Sequence, residues 1–301
     1  MRLRLSFTIA LVLAACDGTG RTTSETGAAK LWEEFSGEKA LGHVERLVAL
    51  GPRPPGSDAI ERARGYITEE LKTVGWSVRR QTFTDSTPRG PMTFVNLVAT
   101  FREAKSPSFL LFSHYDTKFF ETESFVGAND GGSSNGVLLE MARVLALRPK
   151  LAAQVELVFF DGEEAYVAFT ETDGLYGSRH FAKELVADGR AKQFRGGILF
   201  DMVGDRELTI TLPPDSPSQM TLDIFAAAKA LDVRQHFTYA QGGILDDHTP
   251  LNAIGIPVID LIDFDFPPWH TSGDTMDKLS GESLGIVGRV AVRYLMGAAL
   301  K

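Results

Sequence analysis

Hydrophobic positions along this chain recur with two alternating periods, one near 3.6 residues and one of two. A helix is predicted from Asp58, where Asp58 and Glu61 give a capping-box-like start. Ile60, Ala63, Ile67, Leu71 and Val74 form its apolar stripe and Gly75 stops it. Trp76–Thr84 and Thr93–Phe101 alternate as strands, with a loop at Pro88-Arg89-Gly90-Pro91 between them. Largely apolar runs at Ser108–Ser113, Val155–Phe160, Gly197–Val203 and Ile256–Ile262 predict buried central strands. Helical period marks Val137–Leu147, Tyr176–Ala187, a segment from Ser216-Pro217 to Leu231, and Ser283–Leu300. Buried strands alternating with helices imply an α/β fold: a single-domain three-layer sandwich whose central, mostly parallel mixed sheet carries helices on both faces.

Composition agrees with a folded protein. The 301 residues are 44% hydrophobic and 23% charged, which excludes a disordered or collagen-like chain. A formal net charge of −8 leaves no basic field for nucleic acid, so no nucleic-acid partner is expected. No exposed heptad or long apolar patch is visible, and a monomer is expected.

The start of the chain has a different character. Arg2 and Arg4 precede an apolar run from Leu5 to Leu13 that ends in Ala14-Ala15-Cys16, and Cys16 is the single cysteine. The run is too short to span a bilayer core of about 30 Å, but it has the layout of a secretory signal. Its end resembles the lipobox of bacterial lipoproteins. Residues 1–15 are therefore expected to be a lipoprotein-type signal peptide. Residues 16–30 are expected to be a lipidated cysteine with a Gly/Thr/Ser-rich tether, and 31–301 one catalytic domain. The expected location is the bacterial cell envelope, with membrane contact only through a lipid anchor at Cys16.

Polar residues gather just after the buried strands, where ligands sit in open α/β sheets. Phe109–Ser113 runs into His114-Tyr115-Asp116, and Asp130 lies on the glycine-rich Gly127–Gly132 loop. Val158–Phe160 runs into Asp161-Gly162-Glu163-Glu164. Leu199-Phe200 ends at Asp201, and the last strand leads to Trp269-His270. Singly, each aspartate reads as a turn former or helix cap. Together they make a His/carboxylate set suited to zinc. The adjacent glutamates need something positive beside them.

These residues resemble the zinc-dependent aminopeptidase family with co-catalytic metal ions. Further segments narrow the resemblance to the animal-type glutaminyl-peptide cyclotransferases. They are Gly51–Ser57, Phe159–Ala165, Asp173–His180, Gly242–Pro250 and Phe266–Thr271, within a likeness that covers nearly all of Leu31–Leu300. The resemblance implies conversion of N-terminal glutamine of peptides or proteins to pyroglutamate with release of ammonia. It implies Asp130, Glu164 and His270 as ligands of one zinc, Glu163 as proton shuttle, and Asp201 and Asp246 as a supporting carboxylate network. Trp269, Phe266, Phe169 and Leu245 would form the substrate pocket. Animal-type cyclases carry a tryptophan at the position of Phe169 and a glutamine at that of Leu245, and their stretch before Trp269 is one residue longer. His114 and Asp201 would complete a second zinc site if the chain were instead a metallo-aminopeptidase, with Glu163 activating water. A non-catalytic binding domain is the third alternative, and it would be expected to have lost ligands that this chain keeps.

Overall fold

The computed structural model describes residues 30–300. The expected signal segment and lipidated Cys16 lie outside the described residues. The strands are β1 (Trp76–Thr87), β2 (Gly90–Phe101), β3 (Phe109–His114), β4 (Val155–Phe160), β5 (Gly196–Asp201), β6 (Ile210–Leu212), β7 (Phe237–Tyr239) and β8 (Val258–Ile262). The helices are α1 (Gly37–Val48), α2 (Asp58–Thr73), α3 (Ser134–Ala146), α4 (Pro149–Ala152), α5 (Tyr176–Ala187), α6 (Ser218–Ala230), α7 (His248–Ala253) and α8 (Gly281–Tyr294).

The strands form one 8-stranded sheet in the order β1-β2-β4-β3-β5-β8-β6-β7. The predicted apolar runs make its parallel centre, β4-β3-β5-β8. Antiparallel pairings of β2 on β4 and β6 on β8 flank it, as the expected mixed sheet requires. Strand alternation sends Leu111, Ile198, Phe200 and Ile259 to the face covered by α1, α2, α3, α6 and α8. It sends Leu110, Phe112, Leu199 and Val258 to the face covered by Phe181 and Leu185 of α5 and Leu251 of α7. Each large apolar side chain so buried contributes roughly 1.5–3 kcal/mol. A sheet mostly apolar on both faces leaves polar chemistry chiefly to its strand ends, though Glu156 of β4 and Asp260 of β8 are buried acids within strands.

Several boundaries differ from the sequence reading. The loop expected at residues 88–91 tightens to a hairpin: Gly90 takes φ +98, and Thr87 Oγ1 donates to the Gly90 carbonyl at 2.8 Å. The helix predicted from Asp58, α2, is capped by Ser57, whose Oγ accepts from the Ile60 N–H at 3.1 Å. Asp58 and Glu61 sit inside the first turn, where their charge suits the helix dipole. The last helix ends at Tyr294 and continues as a wider turn over Leu295–Ala299. The short β6, β7 and α7 carry too few residues to show a period, and α1 also went unpredicted.

One buried network ties the ends of α2, β2, β3 and β4. Arg64 reaches Asp161 Oδ2 at 2.6 Å and donates to the Tyr115 hydroxyl at 2.7 Å. Asp161 Oδ2 also accepts from the Val95 N–H at 2.7 Å, and Tyr115 donates to the Val95 carbonyl at 2.6 Å. Replacing Arg64 by Met leaves the Asp161 charge buried and unpaired, which costs about 3–5 kcal/mol. Urea unfolding is expected to show that loss, with part of it recovered when Asp161→Asn is added. An unchanged midpoint in the single variant would show that the pair contributes nothing to stability.

Candidate active site

His114 ends β3, Glu163 and Glu164 follow β4, Asp201 ends β5, and His270 follows β8, so the parallel centre delivers them to one edge of the sheet. Asp130 comes from the segment leading into α3. Its Oδ1 lies 3.2 Å from His114 Nε2, and its Oδ2 lies 3.3 Å from His270 Nε2. His114 Nε2 also lies 3.3 Å from Asp201 Oδ1, and His270 Nε2 lies 3.2 Å from Glu164 Oε2. Two donor triads result, His114/Asp130/Asp201 and Asp130/Glu164/His270, and they share Asp130.

Backbone contacts hold the ligands in place. Asp274 accepts from the Asn129 N–H at 2.7 Å and the Asp130 N–H at 3.0 Å. Asp116 does the same for Glu163 at 3.2 Å and Glu164 at 3.3 Å. Arg53, fully buried, donates to the carbonyls of Tyr115, Leu47, Gly51, Val126 and Gly127, and so pins both ends of the 115–127 loop. Asn129 Oδ1 and Ser133 Oγ accept from Gly204 and Val203, which fastens the segment after Asp201 to the Asp130 segment. Gly131 has φ +75, and a Cβ there would lie 2.9 Å from the His114 ring. A side chain at 131 would push His114 out of line.

Too many acids are buried here for the site to be self-sufficient. Glu163, Glu164, Asp201 and Asp246 are all buried, and burial drives each carboxyl above its ordinary range, Asp246 to about 7. Glu163 is pushed well up by burial and then by Glu164, Asp246 and Asp247, against the pull of His114. Burial opposes charge on His270, but its contacts with Asp130 and Glu164 raise it to about 9. Asp130 Oδ2 and Glu164 Oε1 are buried without a hydrogen-bond partner. Unpaired buried acid oxygens beside two imidazoles fit a bound divalent cation, and the donor types suit zinc.

A cavity of about 210 Å³ opens beside the triads, lined by Asp130, Glu163, Asp201, Asp246 and His270 on its polar side. Phe169, Leu245 and Trp269 wall it as expected, and Trp269 stacks on His270 with centroids 4.0 Å apart. Phe266 does not line it. That ring is buried below, against Met202, Ile262 and Ile244, while Phe264 takes the wall position, 4.9 Å from Trp269. Asp263 accepts from the Thr209 and Asp265 N–H groups, so the chain turns after β8 and strand alternation no longer says which ring faces inward.

Sequence reasoning missed Phe264, Asp274 and any role for Arg53. Arg53 lay in a segment already singled out, but its five carbonyl contacts have no local signature. Asp274 shows only as one more loop aspartate.

A doubly covered α/β sheet with two His/carboxylate triads at its strand ends defines a metal-dependent enzyme of the peptidase type. Residues 96–295 match Peptidase family M28, and the chain belongs to that family. A glutaminyl-peptide cyclotransferase-like protein from Bos taurus is 31% identical over 276 residues, covering 81% of this chain and 71% of its own. The crystal structure of an Acidobacteriales bacterium glutaminyl cyclase is 32% identical with a TM-score of 0.80, covering 87% of this chain and 94% of that one. A Zn-dependent exopeptidase from Parabacteroides distasonis is 27% identical with a TM-score of 0.79, covering 87% and 98%. The family expected from the motifs is the family found.

Asp274→Asn is expected to weaken zinc binding about 10- to 100-fold, as loss of a group that orients a ligand does. Competition against a chromophoric chelator measures it. Unaltered affinity would remove Asp274 from the positioning of Asp130.

Proposed function

We propose that this protein is a zinc-dependent glutaminyl-peptide cyclotransferase that converts an N-terminal glutamine to pyroglutamate and ammonia. The observation that carries the reading is the small aromatic-walled cavity in which Glu163 stands beside the Asp130/Glu164/His270 triad. Its size suits a single side chain. The likeness to proteins named as cyclases, from both animals and bacteria, supports the same reading.

The reaction is intramolecular: the α-amine attacks the side-chain amide carbon of its own residue. The protein's main task is therefore to hold a near-attack shape. Trp269, Phe169 and Phe264 wall the side chain, while Met202, Ile244 and Ile262 keep the cavity's inner surface apolar and short of competing water. Asp130, Glu164 and His270 would hold one zinc, which when bound supplies Lewis-acid polarisation of the amide carbonyl. Glu163 takes a proton from the attacking amine and returns it to the departing nitrogen, which leaves as ammonia. Asp201 and Asp246 face the same cavity and hold the amine end of the substrate.

A second reading, metallo-aminopeptidase, rests on the complete second triad His114/Asp130/Asp201 and on the exopeptidase neighbour. Glu163 would then deprotonate an attacking water, and two zincs would be bound. Mass spectrometry of peptides starting with glutamine, leucine, alanine or lysine separates the two. Loss of ammonia from the glutamine peptide alone is expected, whereas removal of whole N-terminal residues would establish the peptidase. Glu163→Gln is expected to keep one zinc, counted by elemental analysis, and to lower turnover by at least about 100-fold. Retained turnover in the metal-loaded variant would take Glu163 out of the mechanism.

The reading extends to the chain's start, where Arg2, Arg4, the apolar run and Cys16 support export and lipid anchoring at the cell envelope. Globomycin is expected to block processing of the full chain in a bacterial host. Processing that ignores the inhibitor would exclude a lipoprotein.

A further inference from the structure

A second cluster of ionisable groups lies behind the cavity. Asp246 lines the cavity with one face, and Asp246, His248 and Asp260 each place one ligating atom within 4.8 Å of the others. All three are buried, Asp260 completely. Both oxygens of Asp260, both ring nitrogens of His248 and Asp246 Oδ2 lack a hydrogen-bond partner. His248 stands between an inner and an outer acid. Its Nδ1 lies 3.5 Å from Asp260 Oδ2, and its Nε2 lies 3.4 Å from Asp215 Oδ2. The Asp215 side chain is 53% exposed. Both gaps are a few tenths of an ångström beyond a hydrogen bond, so a small movement of the ring closes either one.

The proposed reaction has a proton to dispose of. An α-amino group has an ordinary pKa near 8 and arrives as ammonium at neutral pH. One proton must leave before the nitrogen can attack. The attacking nitrogen loses its second proton as the new C–N bond forms, and Glu163 returns that one to the amide nitrogen as the old C–N bond breaks. At neutral pH the sum is R–NH3⁺ plus side-chain amide giving lactam and NH4⁺, so the first H⁺ is shed before any ammonia exists to take it up. With substrate filling the cavity, that H⁺ needs a path other than the mouth.

We infer that Asp246, Asp260, His248 and Asp215 form a proton exit from the cavity to solvent. The inference rests on the cyclotransferase reading. An imidazole with an acid at each nitrogen accepts on one side and donates on the other, which is the requirement for a shuttle. A cation held by Asp246, Asp260 and one His248 nitrogen would use the same inner atoms, with the outward nitrogen on Asp215 orienting the ring, so zinc content is counted alongside turnover.

The test measures kcat and KM for ammonia release from a glutamine peptide in dilute and concentrated 2,4,6-collidine buffer, a hindered base that is a poor zinc ligand. The proteins are the zinc-loaded wild type, Asp215→Asn and His248→Gln. In dilute buffer kcat is expected to fall about tenfold in His248→Gln, less than the roughly 100-fold loss of a group that touches the reacting atoms. A smaller fall is expected in Asp215→Asn. KM and zinc content should stay unchanged, and concentrated collidine should restore kcat in both variants while leaving wild type unaffected. Asp215 is at the surface, so its variant keeps the test decisive if His248→Gln fails to fold. Turnover equal to wild type at every buffer concentration would overturn the relay alone, as would a loss that no buffer restores. Loss of one zinc equivalent in His248→Gln would overturn it in favour of a cation site. No ammonia release by wild type would overturn the functional reading and the relay with it.

Discussion

The carboxylate of Asp130 is the constraint around which this site is built. Its two oxygens face two different imidazoles, His114 and His270, in a place with almost no access to water. A buried charge is costly unless its surroundings compensate it fully. Both imidazoles and the field of buried Arg53 serve that end, while Asp274 fixes the Asp130 backbone in position. Asp116 plays the matching part for the glutamate pair, and the two grips set the spacing between the loops that carry the ligands. A divalent metal ion would complete this arrangement through the His114, Asp130, Glu164, Asp201 and His270 donors.

The ligand set alone does not choose between chemistries. Structures of a glutaminyl cyclase and of a Zn-dependent exopeptidase match this chain with nearly equal TM-scores, 0.80 and 0.79. Both triads are present, so either reaction finds its donors. The choice lies in the cavity walls. Trp269, Phe264, Phe169 and Leu245 confine a small space against the acid side, which favours a residue folding on itself over a peptide bond that must be reached by water. Leu245 and Phe169, where animal-type cyclases differ, leave an apolar wall in place. Asp246 continues inward to Asp260 and His248, so the polar side of the cavity is the edge of a deeper ionisable layer.

The fold was legible where a local period was strong. The central strands are mostly apolar because helices cover both of their faces, and Glu163, Glu164 and the histidines stand out because they come at or just after the ends of those runs. The hairpin of β1 and β2 was read as looser than it is, since the turn depends on a hydroxyl contact of Thr87 that no hydropathy pattern reports. Phe266 and Phe264 were exchanged for a similar reason. Two rings two positions apart share a face on a strand, but the Asp263 turn ends the strand just before them.

From sequence alone came the alternation of buried strands and helices, the placing of His114, Glu163, Glu164, Asp201 and His270 at or after strand ends and of Asp130 on a glycine-rich loop, and the family they resemble. Those features depend on neighbours within a few residues, so they are written locally. Only the tertiary structure decided that Asp130 is shared, that Asp274 and Arg53 hold the frame, and that Phe264 walls the cavity. It also joined Asp246 to Asp260, His248 and Asp215. Charge–charge compensation and burial act through space, between residues as far apart in sequence as Asp130 and His270. No local pattern encodes a separation that exists only once the chain has folded.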